Sequence, residues 1–194
     1  MQIIKDMDSV VNLFLEGKVG VFATDTVWGA GCSLNNEEAI KRLYQIKKRK
    51  KDKPTAVLVA DYKQAKELGQ FNKEAEELVK RYWPGALTVI VPVKGRVTTL
   101  VTDKNRKVGL RAPNNRLLFK VLKKAGPIVA TSANFVGERP PTKKEEIDKV
   151  FLRQVDFLVE GGEPVEGLAS TVLDTMVKPF KVLRQGSVDL CSSP

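Results

Sequence analysis

The sequence of 194 residues contains no histidine and only two cysteines, Cys32 and Cys191. Without histidine, the chain cannot build a Ser-His-Asp or Cys-His nucleophilic centre, nor a zinc site with a histidine ligand. Two distant cysteines are too few for a disulfide framework or a four-thiolate zinc site. Any chemistry must therefore rely on lysine, arginine, carboxylates, hydroxyls, backbone amides or a metal ion that arrives with a substrate. A reducing, cytoplasmic setting is expected.

Long apolar segments are also missing from the sequence. No apolar run approaches the ~20 residues needed to cross a bilayer, and residues 1–6 lack the basic and apolar regions of a signal peptide. A hydrophobic content of 42% and a charged content of 29% are ordinary for a folded protein. The length suits one domain with a sizeable core. We therefore expect a cytoplasmic protein that has no membrane partner.

Positive charge is concentrated in one short segment. Residues 41–53 carry eight basic residues and one acid, a local charge of +7, whereas the whole chain carries +10. Cations at this density repel one another unless an anion gathers them, and phosphate is their natural counterpart. The simpler structural interpretation is a solvated helix end. The phosphate would belong either to RNA or to a nucleotide, and a nucleotide would not be held by a P-loop because no Walker motif is present.

The spacing of apolar residues predicts alternating helices and strands. Helices are predicted to begin near Asp6 or Asp8, at Asn36, Asp61, Asn72 and Asn114, and after Thr142, where Glu145 has capping-box spacing. Strands are predicted at 19–23, 55–59, 87–91, 107–111, 128–130, 155–159, 170–174 and 180–184. Because strands outnumber a simple βαβ alternation late in the chain, we expect an α/β fold with helices packed on a mixed sheet.

Polar residues follow several of these strands, and strand ends in α/β sheets open onto ligand crevices. Residues 24–29 offer two hydroxyls, a carboxylate and an indole, although Trp28 is equally compatible with the core. Residues 131–134 offer groups that can donate to phosphate oxygens. Arg111 ends an apolar strand and requires an anionic partner, for which a carboxylate is the best geometric match. Taken singly, each segment is also compatible with an ordinary turn.

Taken together and in this order, the segments resemble the YrdC-like threonylcarbamoyl-AMP synthase family. Eight motifs between about residue 7 and residue 188 carry the resemblance: Thr24-Asp25-Thr26-Val27-Trp28-Gly29, Lys47-x-Arg49, Lys53-Pro54, Trp83-Pro84-Gly85-Ala86-Leu87-Thr88, Val108-Gly109-Leu110-Arg111-Ala112-Pro113, Thr131-Ser132-Ala133-Asn134, Ser170-Thr171-Val172-Leu173-Asp174 and Leu183-Arg184-x-Gly186. The resemblance implies a single YrdC-like domain over residues 1–188, with a twisted mixed β-sheet and packed helices around a positively charged cavity. Residues 189–194 are expected to form a short C-terminal tail.

The reaction that the resemblance implies joins L-threonine, bicarbonate and ATP into threonylcarbamoyl-adenylate and releases pyrophosphate. Downstream threonylcarbamoyl-transfer proteins then use the product to make N6-threonylcarbamoyladenosine at position 37 of tRNA, which makes tRNA a further candidate partner. Such a reaction needs no covalent enzyme nucleophile, which suits a chain without histidine. The protein would mainly position the reactants, and positioning alone can lower a barrier by ~7–11 kcal/mol.

Matching positions in the motifs imply two groups of site residues. Around threonine the resemblance places Thr26, Trp28, Arg111, Thr131, Ser170 and Thr171, with Arg111 binding the carboxylate. Around ATP it places Lys47, Arg49, Lys53, Ser132, Asn134 and Arg184, together with a Mg²⁺ ion for which no protein ligand is expected. No general base is implied, and Asp25 is the one candidate.

The chain departs from the usual family pattern at five positions. Ala23 replaces a proline, Trp28 a tyrosine, Lys50 a proline, Leu58 a histidine near the threonine, and Val136 a serine. The changes at 28 and 136 each remove a hydroxyl that could contact a substrate, so they bear on individual contacts rather than on the fold.

Two alternative functions remain open. The carbamoyltransferases of hydrogenase maturation contain a related domain, but they are much longer and carry zinc-finger cysteines that this chain lacks. A non-catalytic RNA-binding module, such as a ribosome or tRNA chaperone, accounts for the +7 segment equally well. Against it, Tyr44 is the one aromatic residue near that segment, whereas RNA-binding surfaces interleave several stacking aromatics.

Overall fold

A ten-stranded mixed sheet organises the computed structural model, which describes residues 1–48, 55–164 and 166–190. The strands are β1 Gln2–Ile4, β2 Gly20–Ala23, β3 Trp28–Ser33, β4 Ala56–Leu58, β5 Leu87–Pro92, β6 Lys107–Arg111, β7 Ile128–Ser132, β8 Phe157–Val159, β9 Thr171–Asp174 and β10 Lys181–Arg184. Across the sheet they follow the order β1-β8-β2-β3-β7-β4-β6-β5-β9-β10, with both parallel and antiparallel pairs. The mixed sheet predicted from the sequence is confirmed.

Six α-helices connect the strands of the described ranges: α1 Met7–Leu15, α2 Glu37–Ile46, α3 Tyr62–Leu68, α4 Lys73–Tyr82, α5 Arg116–Ala125 and α6 Lys149–Gln154. Most begin where the sequence predicts, because an Asp or Asn side chain accepts a hydrogen bond from the backbone amide three residues further on. The prediction for α5 was wrong by one residue. Asn115, not Asn114, caps it, because the Asn115 amide first closes a turn onto the Pro113 carbonyl.

The helix predicted after Thr142 also begins later than expected. Glu146, rather than Glu145, accepts hydrogen bonds from the Thr142 amide and hydroxyl, and this closes a short 3-10 turn at Lys144–Glu146. Helix α6 then begins at a separate cap, Asp148. The Thr142 segment therefore forms capping hydrogen bonds, but these bonds close a 3-10 turn and do not begin a helix.

The two faces of the sheet are covered differently, and this difference creates the site. One face carries residues such as Ala30, Val57 and Leu110 in a large apolar core that includes α2. The other face is covered at one end by α1 and α5, which enclose a second core around Phe14 and Phe22. The remainder of that second face has no helix packed on it among the described residues and is hollow.

Strand β3 was not predicted, because its small residues lack apolar alternation. Glycine is required there for close packing of the sheet. A Cβ atom on Gly31 would lie 2.6 Å from the Val129 carbonyl oxygen of β7, a backbone atom that cannot move aside. Of the polar segment at residues 24–29, Thr24–Val27 therefore form the turn between β2 and β3, and Trp28 and Gly29 belong to β3.

Gly31→Ala is expected to lower the free energy of unfolding by about 1–3 kcal/mol, the usual effect of overpacking. Urea unfolding measures this change. The matched control is Gly109→Ala, also within a strand, where an added Cβ would lie no closer than 3.4 Å to any neighbour. Equal unfolding midpoints for the two variants would contradict the close approach of β3 and β7.

Candidate functional site

The open part of the second sheet face forms the floor of a cavity of about 600 Å³. Alternate residues of neighbouring strands contribute this floor, since side chains on a strand point to opposite faces in turn. At its centre the floor is made of small residues, Gly109, Ala56 and Ala130, which pair in register across β6, β4 and β7. Their small size leaves the hollow, and the polar side chains stand around it.

Arg111 organises one edge of the cavity. Its Nε donates to the Gly85 carbonyl at 3.0 Å, its Nη1 donates to the Thr26 hydroxyl at 2.8 Å, and its Nη2 forms an ion pair with Asp25. Both side chains of the ion pair are less than a tenth exposed. Burial lowers the pKa of the Arg111 guanidinium, and the Asp25 carboxylate opposes that shift. The anionic partner that the sequence requires for Arg111 is therefore present within the protein.

The hydroxyls next to Arg111 have a fixed direction. Thr24 donates its single hydroxyl hydrogen to the Val27 carbonyl at 2.7 Å, so in the 2.9 Å contact between the two threonines Thr26 must be the donor. Thr26 in turn accepts from Arg111. Since its own hydrogen is used, Thr26 can offer the cavity only an oxygen lone pair, which suits an ammonium or hydroxyl group of a ligand.

Further hydroxyls lie on the neighbouring strands. The Thr88 and Ser170 hydroxyls are 2.8 Å apart, and both residues border the cavity. Arg184, at the end of the edge strand β10, donates from Nε to the Ser170 carbonyl and from Nη2 to its hydroxyl, both at 3.0 Å. Together with Thr26 and Arg111 they form a polar cluster, here called the Arg111 edge.

Lys47 lies at the other side of the cavity, directly after α2. Its ammonium donates to the Ser132 carbonyl at 2.7 Å, to the Asn134 side-chain oxygen at 3.2 Å and to the Asn134 carbonyl. A lysine ammonium has three hydrogens, so these acceptors match all of them. The buried Lys47 ammonium thus fixes the loop that follows β7. The three oxygens that accept from it in this loop are uncharged.

Hydrogen bonds among its own residues close the loop after β7. Asn134 donates both amide hydrogens within the loop, to the carbonyls of Phe135 and Glu138. Gly137, with φ of 94°, allows the tight turn between these two residues. In the described part of the chain, the amides of Val136 and Gly137 donate to no protein acceptor, and both residues border the cavity.

The cavity brings together most of the residues that the motifs select. It is bordered by Thr26, Arg111, Thr131, Ser170, Lys47, Ser132, Asn134 and Arg184. Trp28 and Thr171 do not border it, because they lie on the opposite face of the sheet. Trp28 is buried and donates from its indole to Glu163 at 3.3 Å. Thr171 is buried and donates to the Val188 carbonyl, which fastens the C-terminal segment to the sheet.

Several other predictions have a different outcome. Arg49 and Lys53 lie outside the described residues. Asp25, the candidate base, is turned to Arg111 and does not border the cavity. The described lining contains the cations Lys47, Lys107, Arg111 and Arg184 but also the acids Asp103, Glu138 and Asp174. The expected positive charge is therefore not uniform over the cavity.

Seven polar residues border the cavity in addition to the predicted site residues: Thr24, Thr55, Thr88, Asp103, Lys107, Glu138 and Asp174. The alternation of β5 places Thr88 on the same face as Ile90, opposite the core residues Leu87 and Val89, and this signal could have found it. Lys107 is the first residue of a predicted strand, and no local pattern there indicates a cavity residue. The pairing of β6 with β5 and β4 is what brings it to the cavity.

Two properties of the described residues concern ions and membranes. Burial raises the pKa of the Cys32 thiol to about 12, so Cys32 is a protonated core residue at neutral pH. No group of three Cys, Asp or Glu side chains in the described ranges is placed to hold a metal ion.

Within those ranges, no helix has the length and apolar character of a bilayer-spanning segment.

Comparisons with known proteins agree on one family. The model of the Sua5/YciO/YrdC family, described as telomere recombination, matches residues 12–186. A threonylcarbamoyl-AMP synthase of Pyrococcus abyssi is 34% identical over 177 residues, which cover 90% of this chain and 52% of the relative. One of Bacillus subtilis is 36% identical over 179 residues, with 91% and 52% covered. The chain thus spans about half the length of these relatives.

A solved structure has the same architecture. Pyrococcus abyssi Sua5 complexed with L-threonine matches with a TM-score of 0.89 at 31% identity, over 95% of this chain and 57% of that one. The α/β fold predicted from the sequence is confirmed by this similarity.

Removing the charge of Asp25 tests the organisation of the Arg111 edge. Asp25→Asn removes the ion-pair partner of a buried guanidinium, so we expect the free energy of unfolding to fall by about 3–5 kcal/mol in urea titrations. The control is Asp8→Asn, whose ion pair with Lys124 has side chains 73% and 57% exposed and should contribute little. A loss no greater than that of the control would show that the buried pair does not hold the site.

Proposed function

The chain belongs to the Sua5/YciO/YrdC family, and from that membership we propose that it makes threonylcarbamoyl-adenylate from L-threonine, bicarbonate and ATP. The observation that carries the proposal is one cavity bordered on one side by the Arg111 edge and on the other by the loop that Lys47 orders. An amino acid and a nucleotide can therefore meet on the same floor. The names of the Pyrococcus and Bacillus relatives, and the threonine in the Sua5 structure, support this choice.

Threonine would bind at the Arg111 edge. Three of the five N–H groups of Arg111 donate to Gly85, Thr26 and Asp25, and the other two are enough to donate to a carboxylate. Thr26 presents an acceptor, which suits the ammonium or hydroxyl group of threonine. The paired hydroxyls of Thr88 and Ser170 would complete a polar wall. The role of Arg111 is then double, since it binds the ligand and holds the turn that carries Thr26.

ATP would place its phosphates beside the loop after β7. The Ser132 hydroxyl and the amides of Val136 and Gly137 are unused donors in the described ranges that border the cavity, and backbone amides in such turns bind anions well. Lys47 would act mainly by fixing this loop and by its positive charge. Arg49 and Lys53, from the neighbouring segment, are further proposed phosphate ligands. Mg²⁺ would arrive bound to the phosphates as part of the substrate.

The chemistry then requires little from side chains. The threonine nitrogen attacks the bicarbonate carbon, a C–N bond forms and the elements of water leave. A carbamate oxygen next attacks the α-phosphorus, and the bond to the bridging oxygen breaks, so pyrophosphate departs with the electron pair. The protein would supply orientation and fixed dipoles, which can account for most of such a rate enhancement. Because Asp25 is tied to Arg111, we propose no protein base.

A non-catalytic RNA-binding module remains the second candidate, and the +7 segment favours it. A surface for RNA would not need a recessed floor of small residues surrounded by oriented hydroxyls. tRNA, downstream transfer proteins and a cytoplasmic setting stay proposals that follow from the proposed reaction.

Purified protein should release pyrophosphate from ATP only when L-threonine and bicarbonate are both present. Mass spectrometry should detect threonylcarbamoyl-adenylate in the same mixture, and omission of either co-substrate is the control. Pyrophosphate release without threonine, or no product under all conditions, would overturn the proposal. RNA affinity that falls steeply with salt and ignores threonine would then favour the binding module.

Filling the cavity floor tests whether the reaction occurs there. Gly109→Val adds methyl groups beside Thr88 at the centre of the floor without altering any polar group, and valine is favourable in a strand. We expect product formation to fall at least about tenfold, which corresponds to a loss of about 1.4 kcal/mol. Unfolding midpoints and the milder Gly109→Ala control separate this effect from misfolding. Full activity in a folded Gly109→Val protein would place the reaction elsewhere.

A further inference from the structure

Trp28 makes its side-chain hydrogen bond on the face of the sheet opposite the cavity. The residue is 1% exposed, and its Nε1 donates to a carboxylate oxygen of Glu163 at 3.3 Å. Glu163 is exposed and belongs to the chain between β8 and β9, of which residues 160–164, 166 and 167 are here called the β8–β9 segment. In the described part of the chain, the Glu163 carboxylate accepts from no other group. The indole thus joins an exposed segment to a buried strand.

The same segment also holds the turn that carries Thr26. The Glu166 amide donates to the Asp25 carbonyl at 2.9 Å, and the Gly167 amide donates to the Thr26 carbonyl at 3.1 Å. The turn is therefore held from two sides. Arg111 binds the side chains of Asp25 and Thr26, whereas the β8–β9 segment binds their main-chain carbonyls. The position of the Thr26 hydroxyl depends on both sets of contacts.

Glu166 also brings a charge towards the Arg111 edge. Burial lowers the pKa of the Arg111 guanidinium, whereas the carboxylate of Asp25 and, after it, that of Glu166 raise this pKa. The β8–β9 segment therefore lies close enough to Arg111 to act on it electrostatically. A shift of the segment would change the surroundings of Arg111 as well as the position of Thr26.

Few other hydrogen bonds fix the β8–β9 segment among the described residues. At its beginning the Glu160 amide donates to the Ile4 carbonyl at 2.8 Å. The ion pair of Glu160 with Lys5 has side chains 41% and 80% exposed and should contribute little. The next hydrogen bonds along the segment are the indole contact and then the two amide contacts to the turn. The indole contact is therefore the anchor that precedes the turn.

The two tryptophans of the chain use their indole N–H groups differently. A buried indole N–H needs an acceptor, and Trp83 finds one locally, in the Leu87 carbonyl at 2.7 Å. Trp28 instead donates to a side chain 135 positions away in the sequence. A local bond satisfies the donor alone, whereas the Trp28 bond also joins two separate parts of the structure.

We propose that Trp28 is a positioning residue, which through Glu163 fixes the β8–β9 segment and thereby orients Thr26 for the amino acid. Trp28 needs no contact with the ligand to act in this way. A motif residue that does not border the cavity thus acquires a role at the site. The inference rests on the proposed function, because it takes the Arg111 edge as the amino-acid site.

Glu163→Ala removes the acceptor of the indole at an exposed position, where substitutions usually have little effect on folding. In calorimetric titrations L-threonine should bind about threefold to tenfold more weakly, the effect of one lost hydrogen bond, and MgATP affinity should stay unchanged. Hydrogen exchange of the Glu166 and Gly167 amides, followed by NMR, should become faster by a similar factor because local opening costs less. Glu163→Gln keeps an acceptor oxygen and should match the wild type in both measurements.

Two further variants separate the indole contact from general effects on the segment. Glu160→Gln alters a carboxylate of the same segment whose ion pair with Lys5 is exposed, and it should change neither measurement. Trp28→Phe removes the donor of the contact. In a double-mutant cycle, Trp28→Phe combined with Glu163→Ala should bind threonine no more weakly than Trp28→Phe alone, because both changes remove the same bond.

Three results would overturn the assignment. The first is an unchanged threonine affinity in Glu163→Ala. The second is an equal loss of affinity for threonine and MgATP, and the third is a Glu163→Gln variant that binds threonine as weakly as Glu163→Ala. If the wild-type protein binds no threonine, the proposed function fails and the exchange rates decide alone. Faster exchange in Glu163→Ala then supports the positioning of the turn, and unchanged exchange overturns it.

Discussion

The ion pair between Arg111 and Asp25 is the interaction on which the rest of the site depends. It joins the end of β6 to the turn after β2, two segments that the sheet order separates by three strands. Burying two charges is costly unless geometry and further hydrogen bonds compensate, and here Thr26 and the Gly85 carbonyl supply those bonds. The guanidinium held in this way donates to the Thr26 hydroxyl and helps to orient it. A flexible arginine could bind a carboxylate but could not orient Thr26.

The second constraint is that the two faces of the sheet have different tasks: one packs in the core and the other lines the cavity. Because side chains alternate along a strand, one face can be packed as core while the other is left hollow, provided that the hollow face carries small or polar residues. Strands β4, β6 and β7 meet this condition with Ala56, Gly109 and Ala130, and their opposite faces carry Val57, Leu110 and Val129 of the core. The cavity is therefore encoded by alternation within strands, and it needs no separate domain to form it.

This alternation also separates what the sequence could predict from what it could not. Apolar periodicity and caps revealed most helices and strands, and the order of motifs selected eight residues that do border one cavity. The motifs also select Trp28 and Thr171, but these two lie on the opposite face of the sheet, because neighbouring residues of a strand point to opposite faces. Strand β3 could not be predicted, because its glycine and alanine residues show no alternation of large apolar and polar side chains. Lys107 and Asp174 come together only because β6 and β9 both pair with β5. No local sequence pattern reveals that pairing.

The charges of the cavity differ in how they are balanced, and this difference gives the floor a direction. Arg111 is neutralised by Asp25, and Lys107 by Asp174. Lys47 donates to carbonyl and side-chain oxygens of the loop after β7, and these hydrogen bonds fix the position of its ammonium group. In a recessed site a charge with a fixed position acts strongly because it needs no reorganisation when an anion arrives. A polyanionic phosphate chain is therefore favoured beside Lys47, whereas the Arg111 edge, where the guanidinium is already paired with Asp25, suits a zwitterionic amino acid with no net charge.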